Sequence, residues 1–71
     1  MNKANLVLAL QSVALVTFLK SNGDTREMKA VVNPDGVDQY STDAVSVIDT
    51  VTGAYRAIKA SSVLSVNGEM V

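Results

Sequence analysis

Arg26, Lys29, Tyr55, Arg56 and Lys59 are the residues of this sequence best suited to holding a ligand. Arginine presents a planar fork of donors that fits a phosphate or a carboxylate, and lysine supplies a compact point charge. Tyr55, or alternatively Tyr40, offers a ring on which a base stacks. Alternation along extended strands sets Arg26 on the face opposite Lys29, and Arg56 opposite Tyr55 and Lys59. One continuous basic patch would therefore need a sharp bend or twist. The competing reading is structural, with a half-buried arginine pairing across the sheet with Asp24, Glu27 or Asp49.

Catalysis has little to work with. The sequence holds no His and no Cys, so it lacks the base that titrates near neutral pH and the thiolate nucleophile. It contains no phosphate-binding loop, dinucleotide fingerprint or nucleophile elbow. The expectation is a protein that is not an enzyme. Asp49 precedes a turn, where a carboxylate bonds nearby backbone amides, and Ser61-Ser62 reads as a turn or cap. Asp35, Asp38 and Asp43 do not follow the spacing of a calcium-binding loop, and no Glu closes the set. Neither a metal nor another cofactor is expected.

The elements that position these residues must fit into 71 residues, which allow one domain spanning 1–71. A chain this short buries only about 60% of the surface it exposes when unfolded. With no Cys or His, disulfides and His/Cys metal sites are excluded as staples. Self-association is the remaining source of stability, so a homo-oligomer is expected. Hydrophobic residues make up 48% of the chain, too many for intrinsic disorder. The net charge of −1 argues against a strongly basic nucleic-acid binder, while leaving room for a local patch. The run from Ala4 to Val16 starts behind Lys3 like a signal peptide. Gln11 and Ser12 interrupt it, short of the roughly 18 apolar residues a membrane span needs. No membrane association is expected.

Lys3 to Gln11 is rich in Ala and Leu, and predicts a helix of two to three turns with Asn2 or Asn5 as its N-cap. The β-branched and aromatic run Val13 to Lys20 predicts a strand. Asn22-Gly23 predicts a tight hairpin with the positive φ angles of a type I′ turn. Thr25 to Val32 alternates as the returning strand, and Asn33-Pro34-Asp35-Gly36 ends it in a turn. A loop of roughly ten residues follows, to Thr42. Ala44 to Asp49 and Ala54 to Lys59 form a second hairpin. Ala60 to Ser62 predicts a single 3-10 turn, Val63 to Val66 a last strand, and Asn67-Gly68 a tail that frays. Short antiparallel strands at this spacing point to a mainly β fold, a small barrel of about five strands behind an N-terminal α-helix.

Several of these residues together resemble a family. Val16-Thr17-Phe18-Leu19-Lys20 is followed by Gly23-Asp24-Thr25-Arg26-Glu27-Met28 and then Asn33-Pro34. A second block reads Val45-Ser46-Val47-Ile48-Asp49, Gly53, Tyr55-Arg56 and Ser62-Val63. Over residues 6 to 66 the order and spacing resemble the small WYL-like proteins of tailed bacteriophages and prophages, which have an Sm-like SH3 barrel. Where that family usually has Trp before the arginine this chain has Tyr55, and Ala57 stands where Ser or Thr is common. The resemblance implies the Sm-like barrel, a phage origin and hence a location in the host cytoplasm. It implies no defined activity. The related WYL domains of bacterial regulators give the direction of nucleotide or nucleic-acid sensing.

The functional expectation is a non-enzymatic, self-associating phage accessory protein that binds a host or phage macromolecule, with nucleic acid as one such ligand. Arg26, Lys29, Tyr55, Arg56 and Lys59 are its expected contacts. Two alternatives stand beside it. One is a nucleotide-like small molecule held between subunits by Tyr55 and Arg56. The other is inhibition of a host enzyme through the helix face or an open sheet edge.

Overall fold

The computed structural model describes residues 1–36 and 43–71. Asp38 and Tyr40, and most of the central loop that contains them, lie outside the described residues. The elements are a helix α1 (Lys3–Ala9), strands β1 (Ala14–Leu19), β2 (Thr25–Val32), β3 (Ala44–Asp49) and β4 (Tyr55–Lys59), a 3-10 turn (Ala60–Ser62), and strands β5 (Val63–Val66) and β6 (Glu69–Met70). Among the described residues they make a mainly β structure, six antiparallel strands in one sheet of order β4-β3-β2-β1-β5-β6. Among the described residues no helix is long and apolar enough to cross a membrane.

Helix α1 starts where Asn2 accepts the Asn5 N–H on its side chain at 2.8 Å, satisfying one of the first-turn amides that lack an internal partner. It is two residues shorter than its composition suggests. The Leu10 carbonyl is taken by the N–H of Val32 at 2.9 Å, which turns the chain down onto β2 instead of extending the helix. Leu6 and Leu10, both fully buried, press the helix onto the inner face of the sheet. That face alternates as a half-buried strand set should, with Val16, Met28, Ala30, Val32, Val45, Val47, Ile58 and Val63 pointing inward. Burying each fully enclosed Leu or Val is worth roughly 1.5–3 kcal/mol, so these side chains decide which face of each strand turns in.

Two turns differ from the sequence expectation. Between β1 and β2, Gly23 N–H bonds to Lys20 O at 3.0 Å and Lys20 N–H to Asp24 O at 2.7 Å. Gly23 has φ +92, while Asn22 is not among the residues with positive φ. This is a three-residue loop, a type I turn followed by a left-handed glycine, and not a type I′ turn. The Asn22 side chain accepts the Asp24 N–H at 3.0 Å and holds that geometry. The type I′ signature appears instead at the C-terminus, where Asn67 (φ 52) and Gly68 (φ 82) link β5 to β6. The expected fraying tail is therefore a sixth strand, one more than the five expected.

The strand order requires a strongly curled sheet. β4 and β5 are separated by β3, β2 and β1, which in a flat sheet is four strand spacings, about 19 Å. Lys59 and Val63, which end one and start the other, are joined only by Ala60–Ser62. Four Cα–Cα steps reach at most about 15 Å, and a 3-10 turn shortens that further. The sheet must bend until its β4 edge approaches β1 and β5. The hydrogen-bonded ladder itself is open, running from β4 at one edge to β6 at the other.

Candidate functional site

The residues expected to bind divide between the two faces of the sheet. Arg26 follows the parity of Met28, Ala30 and Val32 on the inner face, and Arg56 that of Ile58. Lys29, Tyr55 and Lys59 face outward. The structure therefore brings Arg26 and Arg56 to one face and separates them from the other three.

Arg26 is occupied. Its Nη2 lies 3.9 Å from Asp49 Oδ2, with Arg26 still 43% exposed and the Asp49 side chain only 7% exposed. Asp49 occupies the start of the β3–β4 turn, where its Oδ1 accepts the N–H groups of Val51 at 2.9 Å and Thr52 at 3.3 Å. The turn closes through Gly53 N–H to Asp49 O at 2.7 Å and Asp49 N–H to Ala54 O at 2.9 Å. The Val51 amide is the main reason the carboxyl is held below its ordinary 3.8; burial opposes the shift, and Thr52 and then Arg26 add to it. Asp49 is thus a turn-forming carboxylate, as its place in the sequence suggests.

Asp43 has a parallel task at the other end of β3. Its Oδ2 accepts the Ser61 N–H at 2.7 Å, and its carbonyl accepts the Ala60 N–H at 3.0 Å. Together these bonds pin the 3-10 turn that carries the chain from β4 to β5. The Ser61 side chain first, and the Ser61 N–H second, hold this carboxyl below 3.8. Ser62 donates its hydroxyl to Lys59 O at 2.6 Å, so Ser61-Ser62 does act as a turn.

On the outer face, Tyr55 is 72% exposed and sits opposite Ile48, which in turn sits opposite Val31. Val13, just ahead of β1 and 55% exposed, continues the β1–β2 register to Val31. The result is an apolar row across the outside of the sheet that ends in a tyrosine. Lys29 is beside this row, its carbonyl accepting the Thr50 N–H at 2.9 Å. Strand spacing and rise put Lys29 about 12 Å from Tyr55 across β3, and Lys59 about 13 Å from Tyr55 along β4. Among the described residues, Lys29, Arg56 and Lys59 have no ion pair within 4 Å.

Curling creates one feature that the linear sequence does not announce. The end of β1 and the turn after it approach β4, leaving a cleft of about 370 Å³ walled by Phe18 and Ile58, with Lys20, Ser21, Lys59 and Ser62 at its rim. Lys59 is the only one of these among the expected contacts. Lys20 and Ser21 lie far from it in the chain, and only the short β4–β5 connection, read together with the strand order, reveals the juxtaposition.

Among the described residues no group of three or more acidic, His or Cys side chains gathers in a way that would hold a metal ion. The chain matches no family model, and comparison with curated proteins and with solved structures also returns no match.

Proposed function

We propose that this chain is a non-enzymatic binding module of bacteriophage origin, an Sm-like SH3-type barrel that self-associates and binds a host or phage macromolecule in the host cytoplasm. Two features support the barrel: the order β4-β3-β2-β1-β5 and the three-residue connection that draws the β4 edge toward β1 and β5. Self-association has its support in the small core and in the exposed apolar side chains Leu8, Tyr55, Met70 and Val71.

The observation that carries the binding reading is the exposed Tyr55 at the end of the apolar row Val13–Val31–Ile48, with Lys29 alongside. An aromatic platform with a nearby ammonium is the arrangement that engages a single-stranded nucleic acid, the ring stacking on a base and the cation on a phosphate. Arg26, paired with Asp49, stands on the inner face, apart from this surface. Arg56 remains on the inner face, apart from this surface. A titration of single-stranded oligonucleotide at falling salt tests the ligand class. Binding that strengthens as salt is lowered and weakens in Tyr55→Ala supports it, and no binding at low salt removes it.

A further inference from the structure

The cleft between the end of β1 and β4 has a chemistry of its own, apart from the Tyr55 row, although it draws Ala57 and Lys59 from the outward set of β4. Its lining contains two ammonium groups, Lys20 and Lys59, and no carboxylate, in a chain with more acidic than basic residues. Asp24 Oδ2 accepts from the Asn22 amide at 3.3 Å; Asp43, whose Oδ2 accepts the Ser61 N–H, lies outside the lining but within electrostatic range of Lys59. Neither lysine has an ion pair within 4 Å among the described residues.

The backbone adds a donor. Hydrogen-bonded pairs in an antiparallel ladder alternate. The bonds Ala60 N–H to Asp43 O and Asp49 N–H to Ala54 O fix which residues of β4 face β3. By that alternation Ala57, a cleft residue on the sheet's edge strand, turns its N–H away from β3. Ser21 contributes an exposed hydroxyl. Ser62 does not, because its proton is given to Lys59 O. The walls beneath these polar groups, Phe18 and Ile58, are apolar, and Phe18 packs on the core.

We propose that this cleft binds a phosphorylated small molecule with an apolar or aromatic body. Lys20 and Lys59 flank the phosphate, with the Ala57 N–H and the Ser21 hydroxyl as further donors, and the body lies against Phe18 and Ile58. The size suits such a ligand, since small-molecule clefts span roughly 300–1,000 Å³. Lysines act on phosphate as point charges, so two of them in a lining that holds no carboxylate set the sign of the ligand.

The test is a titration of the full chain with phenyl phosphate, followed by amide NMR. The expected result is saturable shifts at Lys20, Ser21, Ala57 and Lys59, with the outer-face amides of Lys29 and Val31 unmoved. Inorganic phosphate should move the same amides with affinity weaker by roughly fivefold, for want of the apolar body. Lys20→Gln and Lys59→Gln should each weaken phenyl phosphate binding by roughly fivefold, since each removes one charge-assisted hydrogen bond. Both positions are exposed, and the same spectra report whether each variant is folded. Shifts spread over every basic residue without saturation, or binding unchanged in both variants, would overturn the proposal.

Discussion

Arg26 Nη2 stands 3.9 Å from Asp49 Oδ2, tying the start of β2 to the turn that follows β3. The relationship is unequal. Asp49 is buried and also bonded to two backbone amides, whereas Arg26 is almost half exposed. The amides do more to fix the carboxylate than the guanidinium does, because they are closer and directional. Arg26→Gln should therefore leave Asp49 ionised and its carboxyl pKa only slightly raised, as read by NMR titration. A return of that pKa to 3.8 on removal of Arg26 would show that the ion pair dominates.

The acid side of the stability curve follows from Asp43 and Asp49. Both carboxyls titrate below 3.8 in the folded chain. A group with a depressed folded pKa contributes stability that is complete above its unfolded value and is lost as pH falls through the folded one. Stability should thus hold from neutral pH down to about 4 and decline below it. Asp49→Asn and Asp43→Asn should each be less stable at pH 7 and show a flatter decline, measured by urea unfolding at a series of pH values.

Leu6 is fully buried between α1 and the sheet. Leu6→Ala strips away that packing and leaves a cavity, a change that costs about 2–5 kcal/mol. In so small a domain that is a large share of the total. Denaturant unfolding should show a population already unfolded near 25 °C, while Leu8→Ala, on the exposed side of the same helix, should change the single-chain stability little.

Gly23 sits at φ +92 in the β1–β2 loop, a region that disfavours a side chain although the surrounding space is open. Gly23→Ala should cost about 1 kcal/mol, from backbone conformation alone. Gly23→Asn should cost less, since asparagine tolerates the left-handed region. The comparison by thermal unfolding separates conformational strain from crowding.

On the outer face, Tyr55→Ala should reduce single-strand binding by about 1–3 kcal/mol, the worth of one stacked base. Lys29→Gln should weaken binding and flatten its salt dependence by about 0.7 in log–log slope, because one phosphate is no longer neutralised. Arg26→Gln should leave the slope unchanged. Fluorescence anisotropy at several salt concentrations distinguishes the three.

Much of the fold was legible because alternation is a local signal. β2 and β3 run where Thr25 to Val32 and Ala44 to Asp49 place apolar residues at every second position, and their inward sets are those of the core. The C-terminal hairpin is not legible this way although Asn67-Gly68 is a strong turn signature, because so short a segment follows it that period-two alternation has nothing to repeat. The end of α1 depends on Val32, whose N–H captures the Leu10 carbonyl from a distant part of the chain. For the site, parity correctly separated Arg26 from Lys29, but left Arg26 with three acidic partners to choose from. Only the three-dimensional path of the β3–β4 turn selects Asp49. The Lys20–Lys59 cleft is a product of curling, and no local pattern encodes it.

Self-association would cover the exposed apolar side chains of a domain with a small core. Light scattering coupled to size exclusion, over a range of protein concentrations, measures it directly. The expected result is a molar mass that is an integral multiple, two or more, of the single-chain mass. A single-chain mass that persists at the highest concentration would contradict it.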